Sequence, residues 1–242
     1  MAEVVNVCLV GYGAAGRVFH APLIRRTPGL HLHTVVSSDA RKVHAGLTHV
    51  RVVADPLAAF QDPAIDLVVI ASPNASHAAL AIAALEAGRH VVVDKPFTTT
   101  LHEAHQVVEA ARRCARIVSV FQNRSWGRDF LTLQALIRQG ALGDIVELHS
   151  HFDRHRPQVP VRWREAPGPG SGLWFDLGPH LVDQALQLFG MPDAVQADRW
   201  TLRTGAEVDD GFHVVLHYPR RRVFLHAGSV VVAHDLRFGA RA

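Results

Sequence analysis

Four short stretches of this 242-residue sequence hold the side chains best suited to chemistry. The first is Gly11-Tyr12-Gly13-Ala14-Ala15-Gly16, which follows an apolar run over residues 4–10 and leads into a segment able to form a helix. Strand, glycine turn and helix in that order suit a dinucleotide pyrophosphate. Gly11 makes the tight turn, Gly13 lets the backbone approach the phosphates, and Gly16 lets the helix pack on the strand. The free N–H groups and partial positive charge of the helix N-terminus then face the anion. The second stretch is Asp94-Lys95-Pro96, at the end of an apolar run. Of the 25 cationic residues only Lys42 and Lys95 are lysines, and lysine supplies a compact ammonium whose pKa can shift, which arginine cannot. The third is Ser72-Pro73-Asn74 with His77 one turn further on. The fourth runs from Asp176 through Gly178, Pro179 and His180 to Asp183. A helix beginning at Asp176 sets Asp176 and His180 one turn apart on one face. It also puts His180 in the first turn, where the dipole favours a neutral imidazole able to accept a proton.

Each of these residues has a plainer reading. Asp176 is a good N-cap, and Pro179 is tolerated in a first helical turn. Asn74 can cap the helix that follows it, and His77, one of 17 histidines, can be a surface residue. The second strand ends Val35-Val36-Ser37-Ser38-Asp39, with Arg41 and Lys42 close behind. An acidic residue there would bind a ribose 2′-OH and select NAD; small hydroxyls with cations suit a 2′-phosphate. Ser37, Ser38, Arg41 and Lys42 favour NADP. Asp39 in the ribose role would make the cofactor NAD, and Arg41 and Lys42 also fit a solvated helix start.

The elements that position these groups follow from hydrophobic periodicity. Strands are expected over 3–10, 31–37, 50–53, 65–71, 90–93 and 117–121, with helices over 56–60, 76–87 and 101–115 and a helix after the glycines that contains Pro22. The continuous apolar run 65–71 marks a strand buried on both faces of a parallel sheet. Alternation of this kind means right-handed βαβ units and a doubly wound sheet. After Gln122 the pattern changes. Helices are expected over 130–139 and 176–189, strands over 145–152, 194–200, 211–218, 222–232 and 236–238, and a Pro/Gly-rich loop over 157–172. The reading is an α/β chain with a Rossmann domain over 1–122. An α+β domain with a mostly antiparallel open sheet follows over 123–242.

Composition removes several function classes. The sequence is 48% hydrophobic and 19% charged, so it can bury a sizeable core. A formal net charge of +3 with scattered arginines is no nucleic-acid stripe, and Arg220-Arg221-Arg222 after Pro219 fits a solvated hairpin turn. Two cysteines, Cys8 and Cys114, without CxxC spacing argue against a disulfide scaffold or a zinc site. The apolar runs are too short to span a bilayer and no signal peptide opens the chain, so a cytoplasmic protein with no membrane partner is expected.

The four motifs in this order resemble the glucose–fructose oxidoreductase/inositol dehydrogenase (Gfo/Idh/MocA) family. The runs Gly16-Arg17-Val18-Phe19-His20-Ala21-Pro22-Leu23-Ile24 and Val120-Phe121-Gln122-Asn123-Arg124 are similar to its NADP-linked scyllo-inositol dehydrogenase-like branch. The resemblance implies an oxidoreductase whose catalytic group is Lys95, Asp176 and His180, with no metal. A sugar or polyol hydroxyl would give its proton to His180 while Lys95 stabilises the oxygen and Asp176 orients Lys95 or a substrate hydroxyl. Asp94 departs mildly from the family's usual glutamate. The resemblance places the cofactor against Gly11 to Gly16, Ser37, Ser38, Lys42, Ser72, Asn74, His77, Asp94 and Lys95. The substrate would meet Lys95, Asp176, His180, Arg124 and Trp163, with Trp126 and His155 nearby. Family members carry more chain after the position of Phe238, so the second sheet is expected to have an unpaired edge or face and to pair subunits as a homodimer or larger homo-oligomer. A non-catalytic dinucleotide-binding regulator, or an inactive shortened relative, is the alternative.

Overall fold

A computed structural model describes residues 4–232 and 237–241, in two compact units, 1–121 and 122–242. The first alternates strand and helix: β1 (Val5–Val10), α1 (Ala21–Arg26), β2 (Leu30–Val36), α2 (Ala40–His44), β3 (Arg51–Val53), α3 (Pro56–Phe60), β4 (Leu67–Ile70), α4 (His77–Glu86), β5 (His90–Asp94), α5 (Leu101–Arg113) and β6 (Val118–Phe121). The six strands form one parallel sheet in the order β3-β2-β1-β4-β5-β6. Pleating sends alternate residues to opposite faces, and both faces are covered. Cys8, Val10, Val68 and Ile70 enter one apolar cluster with α4 and α5, while Val7, Leu9 and Val69 enter the other with α1 and α2. This double burial is why β4 reads as an unbroken apolar run. The order reverses between β1 and β4, and in such sheets ligands bind beyond the carboxyl ends of the strands at that reversal.

The second unit comprises α6 (Arg128–Arg138), β7 (Glu147–His151), α7 (Gly172–Phe189), β8 (Ala194–Trp200), β9 (Gly211–Tyr218), β10 (Arg221–Gly228) and β11 (Phe238–Arg241). Its sheet runs β11-β7-β10-β9-β8 and is antiparallel except between β7 and β10. Leu148, Phe212, Val214, Leu216, Val223 and Leu225 face α6 and α7, where Leu133, Leu177, Leu181 and Ala185 meet them. Fully burying one of these Leu, Val or Phe side chains is worth roughly 1.5–3 kcal/mol. Among the described residues β8 and β11 are the outer strands. The strand expected over 236–238 is β11, displaced toward the C-terminus; Leu236 lies outside the described residues.

The start of α7 corrects the sequence reading. The helix begins at Gly172, not Asp176, so Asp176 is no N-cap, Pro179 lies in the helix interior, and His180 is beyond the first turn. The reason is remote in sequence. Asp209 accepts the Leu173 N–H on its carbonyl at 2.9 Å and the Trp174 N–H on Oδ2 at 2.7 Å, satisfying donors that the first turn of a helix leaves open. Gly172 allows this. Its φ is +90°, and a Cβ there would lie 2.3 Å from Asp209 Oδ1.

Candidate functional site

The glycine turn joins β1 to the first helix of the unit. Gly11 has φ +95°, and a Cβ would stand 2.7 Å from the Ala71 carbonyl oxygen of the neighbouring strand end. Gly16 lies so close beneath the turn that a Cβ would be 2.1 Å from the Gly11 oxygen. At Gly13 a Cβ would meet nothing within 4 Å, leaving a backbone cradle that a phosphate can approach. Tyr12, in contrast, is a core residue, 6% exposed, so only its backbone faces the turn. The helix continues through a π-turn over Gly16–His20, where the Ala21 N–H bonds to the Gly16 oxygen. Pro22, which has no N–H, follows directly. π-turns recur at functional sites, and this one sets His20 inside the unit at 3% exposure.

At the end of β2, Asp39 caps α2: its Oδ1 accepts the Lys42 N–H at 2.9 Å, and its own N–H donates to Ser37 Oγ at 3.2 Å. One carboxylate oxygen of Asp39 is therefore spent on the cap. Ser38, Arg41 and Lys42 are exposed beside it, and among the described residues no carboxylate forms an ion pair with Arg41 or Lys42.

The ends of β4 and β5 are joined from within. His77 is 1% exposed. Its Nδ1 lies 2.8 Å from the Pro96 carbonyl and its Nε2 3.0 Å from the Ser72 carbonyl. Carbonyls only accept, so a neutral ring can satisfy one of them at a time. The surface reading of His77 is thus wrong; it braces the two loops from beneath. Asn74 also departs from expectation. It opens a 3-10 turn over Asn74–Ser76, 3% exposed, instead of capping α4 with its side chain.

Asp94 accepts the Lys95 N–H on Oδ1 at 2.8 Å, while its Oδ2 lies 3.6 Å from His20 Nε2, an ion-pair contact longer than a hydrogen bond. Burial by itself would raise the Asp94 carboxyl. The attraction of His20, together with the Lys95 N–H and ammonium, outweighs it and holds the carboxyl below the usual range. Phe121 packs on the His20 ring at 4.3 Å. His20 thus links the π-turn after the glycines to the residue preceding Lys95, a link that pairs positions 74 residues apart and that no local pattern announces.

In the second unit, α7 carries Asp176, His180 and Gln184 one turn apart on one face. Arg164 Nε approaches Asp176 Oδ1 at 3.7 Å, and the Arg164 guanidinium stacks on Trp163 at 4.5 Å. His180 is 6% exposed, with the Phe152 ring 6.5 Å from its own. Gln184 uses both ends of its amide: Nε2 donates to the Arg124 carbonyl at 3.0 Å and Oε1 accepts from Arg237 at 2.9 Å. Asp183 ties the helix to Ser125 and accepts from Gln187 at 2.8 Å, a bracing role. Arg237 also donates to Ser150 Oγ and the His151 carbonyl. Burial brings its guanidinium down to about 10, with Asp129 opposing that shift and Arg124 adding to it. Sequence reasoning singled out Arg124 and Trp163 but missed Phe152, Gln184 and Arg237, whose importance exists only once β7, α7 and β11 are assembled. Trp126 is 78% exposed, and His155 forms an isolated bridge with Val230.

A parallel sheet with the order 3-2-1-4-5-6 and a glycine turn open at Gly13 define a dinucleotide-binding domain, here followed in the chain by a unit whose helix α7 carries an acid–imidazole pair. Residues 5–122 match the model of an oxidoreductase family with an NAD-binding Rossmann fold, and residues 130–240 match the GFO/IDH/MocA C-terminal domain. The chain belongs to the Gfo/Idh/MocA family of NAD(P)-binding oxidoreductases. It is 52% identical over 238 residues to uncharacterized oxidoreductase YdgJ of Escherichia coli (strain K12), covering 98% of this chain and 69% of that protein. It is 38% identical over 236 residues to the scyllo-inositol 2-dehydrogenase (NADP(+)) IolW of Bacillus subtilis (strain 168), covering 98% and 66%. A solved structure of a Yersinia pestis protein, 51% identical, superposes with a TM-score of 0.94 over 100% of this chain and 68% of that one. The chain spans about two thirds of the length of these relatives. Among the described residues no helix is long and apolar enough to cross a membrane.

Proposed function

We propose that this protein transfers a hydride between NADP(H) and the carbinol carbon of a sugar or inositol-like polyol, in the cytoplasm and as a homo-oligomer associating through the second sheet. The observation that carries the reading is the retention of both halves of the chemistry: a glycine cradle open at Gly13, and Asp176 with His180 on one face of α7. The likeness to a protein named as an NADP-linked scyllo-inositol dehydrogenase supports the substrate class.

Residues Gly11 to Gly16, Ser72 and Asn74 would hold the dinucleotide, with Ser37, Ser38 and Lys42 at its ribose. One carboxylate oxygen of Asp39 caps α2, and the exposed Ser38, Arg41 and Lys42 beside it suit a 2′-phosphate. When bound, the cofactor supplies the hydride acceptor. The imidazole of His180 takes the proton of the substrate hydroxyl as general base and returns it in the reverse direction. The Lys95 ammonium donates to the same oxygen and stabilises its negative charge as it develops. Asp94 holds the Lys95 backbone through its N–H, and Asp176 orients Lys95 or a second substrate hydroxyl.

The test is turnover of a panel of inositols and aldoses with NADP and with NAD, followed through the absorbance of the reduced nicotinamide, alongside equilibrium titration of both cofactors. Oxidation of at least one polyol with tighter binding of NADPH than NADH is expected. Cofactor binding with no turnover across the panel would favour a dinucleotide-binding regulator; equal or tighter binding of NADH would refute the NADP preference.

A further inference from the structure

Three guanidinium groups converge on one aromatic ring beside His180. The Cζ atoms of Arg124, Arg154 and Arg237 lie 5.4, 5.4 and 4.5 Å from the Phe152 centroid. Cations over an aromatic face are attracted to its quadrupole, but three of them repel one another. Arg237 has an internal explanation, since Ser150, His151 and Gln184 consume its donors. Arg124 and Arg154 have none of that kind, and among the described residues no carboxylate forms an ion pair with either.

The nearby acids have other nitrogen groups for neighbours, and Asp129 acts on Arg237. Asp153 lies 3.4 Å from His151 and 3.3 Å from His226. Glu165 pairs with Arg162 and Arg203, each at 2.7 Å, and Asp176 faces Arg164 at 3.7 Å. Burial pulls the half-buried Arg154 guanidinium below its usual range; Asp176 supports its charge, while Arg156, Arg162 and Arg124 oppose it. Both arginines stand on fixed backbone. Gln184 holds the Arg124 carbonyl at 3.0 Å, and the Arg154 N–H and carbonyl bond to Gly228 and Val231 at 2.9 and 3.1 Å. A positive excess, partly desolvated and held on fixed main chain next to a candidate catalytic histidine, is arranged for an anion. Guanidinium forks match carboxylate or phosphate oxygens two at a time.

We propose that the substrate is an anionic polyol, bearing a carboxylate or a phosphate that Arg154 and Arg124 bind while its hydroxyl carbon is presented to His180. This inference rests on the hydride-transfer reading above and narrows its substrate class.

The test uses the whole chain with NADP(H) present and needs no variant to begin. Calorimetric titrations compare glucuronate and glucose 6-phosphate with glucose, and inorganic phosphate alone serves as the fourth ligand. At least one anionic sugar should bind roughly 10- to 100-fold more tightly than glucose, the worth of hydrogen bonds to a charged group; which one does so separates a carboxylate from a phosphate. Arg154→Gln should cut that preference to within a few-fold of parity, and Arg124→Gln, in a chain that melts normally, provides the second variant. Equal binding of glucose, a preference that survives both substitutions, or inorganic phosphate binding as tightly as the sugar would overturn the proposal. Turnover is read separately. Arg154-dependent binding of an anionic sugar without nicotinamide chemistry sinks the hydride-transfer reading and leaves the anion site standing. Neutral polyols turning over as well as anionic ones does the reverse.

Discussion

Replacing Gly172 with alanine tests the device that places Asp176 and His180. The residue has φ +90°, a conformation that costs an L-residue about 1–2 kcal/mol. Its new Cβ would also lie 2.3 Å from Oδ1 and 2.8 Å from Cγ of Asp209, so that carboxylate must swing away. Doing so breaks its 2.7 Å bond to the Trp174 N–H, a charge-assisted contact worth about 1.5–3 kcal/mol. The sum is roughly 3–5 kcal/mol, or a fall in Tm of about 10–20 °C for a unit of this size. Gly205→Ala is the matched control: φ is +77° but nothing lies within 4 Å, so only the conformational cost of about 1–2 kcal/mol applies. Thermal unfolding of the two variants, with NADPH titration to check the first unit, measures the difference. The cofactor affinity should hold in both, because the glycine turn belongs to the other unit. If Gly172→Ala melts within a degree or two of Gly205→Ala, Asp209 is not the cap of α7 and the reasoning fails.

Lys95→Arg should keep cofactor binding and lose most turnover, since guanidinium is larger and cannot present a single compact ammonium; near-normal rates would remove Lys95 from the mechanism. His180→Ala should slow turnover by roughly 10²–10⁴-fold and leave a rate that climbs with pH as hydroxide substitutes; an unchanged rate with a lowered Tm would make His180 a structural residue. Asp94, whose carboxyl is held below its usual value of 3.8, stabilises the fold above that pH, and its contribution is lost as pH falls through the lower folded value. Denaturation of Asp94→Asn should accordingly show a deficit at neutral pH that narrows below pH 3.8, and a deficit independent of pH would refute the pairing with His20. Light scattering over a dilution series should find a homo-oligomer joined through residues after Ala194; a stable monomer at micromolar concentration ends that expectation.

The first unit was largely legible in the sequence because its determinants are local. Apolar runs buried on both faces, glycines at 11, 13 and 16, and the turn residues after each strand specify a parallel sheet whatever lies elsewhere in the chain. The same holds for the i, i+4 relation of Asp176 and His180, which any helix through them enforces. What the sequence could not disclose is where distant segments satisfy one another's backbone and charge. The start of α7 depends on Asp209, 35 positions beyond the N–H it accepts. The burial of His77 depends on carbonyls at Ser72 and Pro96 that close over it. The cluster on Phe152 gathers guanidiniums from positions 124, 154 and 237. Hydrogen bonds and ion pairs of that span leave no periodicity in the sequence, and only the assembled sheets decide which donor meets which acceptor.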